Sequence, residues 1–151
     1  MGLLSIMYNW LLPSKSAFLS QFKDNDFLYN SAVSLWASLN SSSIYFMLIF
    51  LAASLALVCF YYYVYNKLPG RKYTIKHWAL WLIVTALATI AFTFGLGCLL
   101  VASPLVERYA FLLRISLVNG GYAVILYFVV SLIICNIPVP TNAYRFLKIG
   151  K

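Results

Sequence analysis

Three uninterrupted apolar runs, Ile44 to Tyr65, Trp78 to Val101 and about Ile115 to Ile137, restrict this chain more than any other feature. Each can cross a hydrocarbon core roughly 30 Å thick, which takes about 20 helical residues. In hydrocarbon every backbone donor and acceptor must be satisfied within its own segment, so such runs are helices rather than strands. Composition agrees: of 151 residues only 9% are charged, against about a quarter in a soluble domain. The expected fold class is an all-α integral membrane protein with three transmembrane helices (44–65, 78–101, 115–137) and interfacial helices before them. Residues 1–43 form an N-terminal interfacial or extracytoplasmic segment, 44–138 the three-helix membrane domain, and 139–151 a basic tail.

Charge sets the expected topology. The link from Asn66 to His77 carries Lys67, Arg71, Lys72 and Lys76, and the tail carries Arg145, Lys148 and Lys151, with no acid in either. Positive loops stay on the cytoplasmic side, or its organellar equivalent, during insertion. Link and tail therefore lie inside and the amino terminus outside, in an inner, plasma or organellar inner membrane with the C-terminus on the cytoplasmic or matrix side. The net charge of +8 is then a topology signal rather than a sign of nucleic-acid binding. Tyr61, Tyr62, Tyr63 and Tyr65 close the first run, and Trp78 and Trp81 open the second. Amphipathic rings favour the interface, so both groups are expected there, around the turn-forming Leu68-Pro69-Gly70.

The first 43 residues hold no full span. Met1 to Leu12 is a short apolar run ended by Pro13, without the basic start or the cleavage pattern of a signal peptide. It reads as a helix on the outer leaflet or against a partner. A second, partly amphipathic helix is expected after Asp24-Asn25-Asp26, which offer caps.

Between the second and third runs, Glu107 and Arg108 read as solvated. Arg114 lies among Phe111, Leu112, Leu113, Ile115 and Leu117. Its guanidinium has three outlets: snorkelling outward, pairing with Glu107 two turns back, or meeting a partner's carboxylate. Glu107 and Arg114 are thus the candidate partner contacts. In the third run, the adjacent Gly120 and Gly121 weaken the helix or permit a bend.

Chemistry has little material. The chain carries three acids, one histidine and three cysteines, and no acid falls within a run. An autonomous proton pump or carrier needs an ionisable group at membrane depth. His77 stands at the interface without a nearby ligand partner, and Cys59, Cys98 and Cys135 lie one per run without metal spacing. The expectation is no catalysis, no metal and no cofactor, with bound lipids as the only small molecules.

One polar pattern remains. Thr85, Thr89, Thr93 and Gly97 place a small or hydroxyl-bearing residue at every fourth position. A four-residue step overshoots one helical turn by about 40°, so the stripe winds slowly round the helix. Such a ridge suits close helix packing better than a pore lining, and Ala52, Ala53 and Ala56 on the first run offer a matching low-bulk patch. The functional expectation is an accessory or anchoring subunit of a larger hetero-oligomeric membrane complex, energy-transducing or secretory, whose partners are other membrane subunits and lipids. The alternative is a homo-oligomeric channel or holin-like pore with the threonines turned inward.

Overall fold

The structure is a computed structural model that describes residues 3–8, 12–67 and 74–136. Its helices are α1 (Leu3–Tyr8), α2 (Lys15–Leu19), α3 (Asp26–Cys59), α4 (Ile75–Leu100) and α5 (Glu107–Asn136), with no strand among the described residues. Three helices, α3 with its extension, α4 and α5, are long and apolar enough to cross a membrane.

The first long helix begins where the chain supplies a cap. Asn25 caps α3, its Oδ1 accepting from the N–H groups of Phe27 at 3.0 Å and Leu28 at 3.2 Å, and Asp26 sets a negative charge in the first turn. From there α3 runs for 34 residues, about 51 Å at 1.5 Å per residue. The expected amphipathic helix and the first span are therefore one element. Asn40 to Ser43 resembles a break, but Ser41 and Ser43 turn their hydroxyls back onto the carbonyls of Ser38 and Asn40, and no glycine or proline interrupts the ladder.

At its far end α3 widens into a π turn, Phe60–Val64, followed by a 3-10 turn, Tyr65–Lys67. A π turn holds an extra residue, which shifts the facing of whatever follows it. α4 ends at Leu100, and Val101 is extended, with φ −101° and ψ 90°. α5 begins eight residues before the expected 115, so Arg114 stands on a helix and not in a link. The expected end of this run at Ile137, and the tail 139–151, lie outside the described residues.

The three long helices pack against one another in pairs, most extensively α4 on α5, which the short link 101–106 makes antiparallel neighbours. Two core clusters result. At the link end, Leu4, Tyr8 and Phe18 from the N-terminal segment pack with Leu35 and Phe46 of α3 and Leu112 of α5. At the opposite end, Val58, Tyr61 and Tyr62 meet Trp78 of α4 and Tyr127 and Cys135 of α5. The N-terminal segment packs onto the bundle through one face: Leu4 and Tyr8, one turn apart on α1, are buried, while Ile6 on the other face is 71% exposed.

Candidate functional site

The fold converges on Asn119. Its side chain is fully buried, midway along α5, and every polar atom it carries is used. Tyr8 donates its hydroxyl to Asn119 Oδ1 at 2.7 Å. Asn119 Nδ2 donates to the carbonyl of Phe46 at 3.0 Å and to Thr93 Oγ1 at 3.3 Å. One amide side chain therefore joins α1, α3, α4 and α5. Beside it, the Tyr122 hydroxyl donates to the Met7 carbonyl at 2.8 Å, a second tie between α5 and α1. Burial pushes the Tyr8 phenol well above its ordinary pKa, outweighing the opposite pull of its bond to Asn119, so it stays a neutral donor. The node fixes geometry and offers no titrating group at neutral pH.

The threonine ridge lies on the same side. Thr85, Thr89 and Thr93 are fully buried, and Gly97 is buried with them. Thr85 and Thr89 return their hydroxyls to the carbonyls of Trp81 and Thr85, both at 2.8 Å. The neighbour that fills the ridge is α5, not the alanine patch of the first run. A Cβ at Gly97 would stand 2.6 Å from Leu112 Cδ2, and one at Gly120 would stand 2.6 Å from Ile90 Cγ1 and 3.5 Å from the Ala86 carbonyl. Gly120 is thus a close-approach position in an unbroken helix, whereas Gly121 faces open space. Ala52 and Ala56 are exposed and Ala53 is half-buried. Ala52 and Ala53 line, with Ile49, Phe92 and Leu96, an apolar surface groove of about 290 Å³ between α3 and α4.

At the opposite end several of the aromatic residues turn into the bundle and pack on one another. Trp78 is 8% exposed and donates its indole N–H to Ser131 Oγ at 3.2 Å. Its ring meets Tyr127 edge-on at 5.6 Å, and Trp81 lies half-buried against Tyr65 at 5.2 Å. The Tyr62 hydroxyl lies 3.5 Å from Cys135 Sγ. Lys76 is exposed; Arg71, Lys72 and the side chain of Lys67 lie outside the described residues.

The α4–α5 link is closed by Arg108, which is not simply solvated. Its Nη1 donates to the carbonyls of Val101 at 3.4 Å and Ser103 at 3.2 Å, placing a cation on the C-terminal end of α4 where the helix dipole favours it. Its guanidinium also donates to the Tyr109 hydroxyl and lies over that ring. Glu107 and Arg114 are both exposed, and among the described residues neither forms an ion pair. They stand instead at a cleft of about 190 Å³, with Phe111 between them and Pro13, Phe18 and Gln21 opposite.

No three His, Cys, Asp or Glu side chains converge on a metal position among the described residues, and Cys59, Cys98 and Cys135 are free thiols. Asn119 and Tyr8 were the residues sequence reasoning missed. The available signal was an amide inside an apolar run, which hydrocarbon tolerates only with partners. Compared with protein-family models, curated proteins and solved structures, the chain finds no match in any of the three.

Proposed function

We propose that the chain is an integral membrane protein with its amino terminus outside, and that its work is structural: an accessory or anchoring subunit of a hetero-oligomeric membrane complex, without catalysis or cofactor of its own. The observation that carries this reading is where the polar side chains go. Thr85, Thr89, Thr93, Asn119, Ser116 and Ser54 are buried, and their hydrogen bonds run to carbonyls and side chains of the same chain. A homo-oligomeric pore would turn the threonines toward the lumen between copies. A single copy here already closes them against α5. What it presents outward is Leu48, Leu55, Ile83, Leu87, Phe92 and Ile125, a surface for lipid tails and neighbouring helices.

The test is isolation from native membranes in a mild detergent. After carbonate washing the chain stays with the membrane, and on solubilisation it elutes with other membrane polypeptides at constant stoichiometry. Reproducible single-channel conductance from the chain alone in liposomes, with no stoichiometric partner in the native membrane, overturns this reading in favour of the pore.

A further inference from the structure

The cleft at the head of α5 has the shape and charge of a site for a small zwitterion. Glu107, Phe111 and Arg114 fall at i, i+4 and i+7, on one face of the helix. Seven residues rise about 10.5 Å, so a carboxylate and a guanidinium bracket an apolar floor while staying too far apart to neutralise each other comfortably. The cleft has a volume of about 190 Å³ and opens to the surface. That suits a headgroup and is far too small for a helix or a folded partner.

Both charges are uncommitted. Arg114 has no ion pair among the described residues and is flanked on the same helix by Leu113 and Leu117, which are 49% and 53% exposed and offer a track for an acyl chain. A guanidinium beside apolar surface is satisfied best by an anion that accepts two parallel hydrogen bonds, as phosphate does. The cation nearest Glu107 in sequence, Arg108, is occupied with Val101, Ser103 and Tyr109. Across the cleft the Gln21 amide has no partner among the described residues, leaving a donor for phosphate or ester oxygens.

We propose that this cleft binds the headgroup of a zwitterionic aminophospholipid, with the phosphate on Arg114 and the primary ammonium on Glu107. The proposal rests on the membrane reading above. Choline lipids carry the same charges, but a quaternary ammonium cannot donate a hydrogen bond to Glu107. Anionic glycerol lipids satisfy Arg114 and leave Glu107 facing no cation. A partner's carboxylate, the other occupant considered for Arg114, would meet Glu107 as a like charge.

The experiment uses the purified full chain in detergent micelles, with native mass spectrometry and thermal melts on titration with phosphatidylethanolamine, phosphatidylcholine, phosphatidylglycerol or inorganic phosphate. Phosphatidylethanolamine binds on the order of tenfold tighter than the other two lipids, the difference one charge-assisted hydrogen bond makes. Arg114→Gln loses binding of all three, and Arg114→Lys, which keeps the charge without the fork, recovers it in part. Glu107→Gln brings phosphatidylethanolamine level with phosphatidylcholine. Since both side chains are exposed, circular dichroism and elution volume match those of the unaltered chain. Equal binding of the three lipids, or an Arg114→Gln chain that binds normally, overturns the proposal. So does competition by inorganic phosphate at the same concentration, which makes free phosphate the ligand. Release of the chain by carbonate overturns the membrane reading and this proposal with it; a chain that stays in the membrane but shows no lipid preference overturns only the latter.

Discussion

Replacing Asn119 with alanine removes three hydrogen bonds at once, to Tyr8, Phe46 and Thr93, at 2.7, 3.0 and 3.3 Å. Hydrogen bonds between helices in a bilayer contribute about 0.6 kcal/mol each on average, so the three sum to about 2 kcal/mol. The Tyr8 hydroxyl, fully buried, then lacks its acceptor, and an unsatisfied buried group costs about 1–3 kcal/mol more. The expected loss is about 3–5 kcal/mol, a large part of the roughly 5–15 kcal/mol that holds a domain together. The assay is reversible unfolding in mixed micelles of mild detergent and dodecyl sulfate, followed by helix content. Tyr8→Phe, which removes one of the three bonds and no volume from the ring, costs about 1 kcal/mol. The double variant decides the matter. If Tyr8 and Asn119 act through their bond, the two losses fall short of additivity by about 0.6–1.5 kcal/mol. Independent sites add to within about 0.3–0.5 kcal/mol, so a coupling below that range refutes the assignment of α1 to this node.

Further expectations concern neighbouring positions. Gly120→Ala puts a Cβ 2.6 Å from Ile90 Cγ1 and destabilises the bundle by about 1–3 kcal/mol, whereas Gly121→Ala, with nothing within 4 Å, stabilises the helix by up to about 1 kcal/mol; equal effects in the same assay contradict the packing of α4 on α5. Trp78→Phe removes the donor to Ser131 Oγ and costs about 1 kcal/mol beyond the lost ring area, while Ser131→Ala in that background adds little. Arg108→Met uncovers the Val101 and Ser103 carbonyls and lowers stability by about 1–2 kcal/mol, read together with faster amide exchange in the last turn of α4. The Tyr8 phenol is held above its ordinary 10.0, so the folded chain binds that proton more tightly than the unfolded one. Its contribution is intact below about pH 10 and falls as the pH rises beyond it, and Tyr8→Phe makes the alkaline loss shallower.

The three long helices were legible because hydrocarbon length and apolar composition are written locally. Their starts were not. α3 and α5 begin 18 and eight residues ahead of the apolar runs; for α3 the start is set by the Asn25 cap, a local signal that hydropathy does not register. The ridge at Thr85, Thr89, Thr93 and Gly97 was visible as a pattern, but its neighbour was not. Ala52 and Ala53 match it in bulk as well as Gly120 does, and only the geometry separates them. Arg108 and Arg114 illustrate the same limit. Both are basic residues near one boundary, yet one clasps a helix end and the other has no ion pair among the described residues, a difference set by the 101–106 link and not by composition.

The bond between Tyr8 and Asn119 spans 111 positions of sequence. At about 5–20 residues per second of synthesis, roughly 6–20 s separate the appearance of the two residues. For that interval the Tyr8 hydroxyl lacks its acceptor, and α1 has its contacts with α3 but not its polar tie to α5. The tie that joins α1, α3 and α4 at one polar centre therefore forms only once α5 is in place, so these three helices reach their final register together rather than one after another in the order of synthesis.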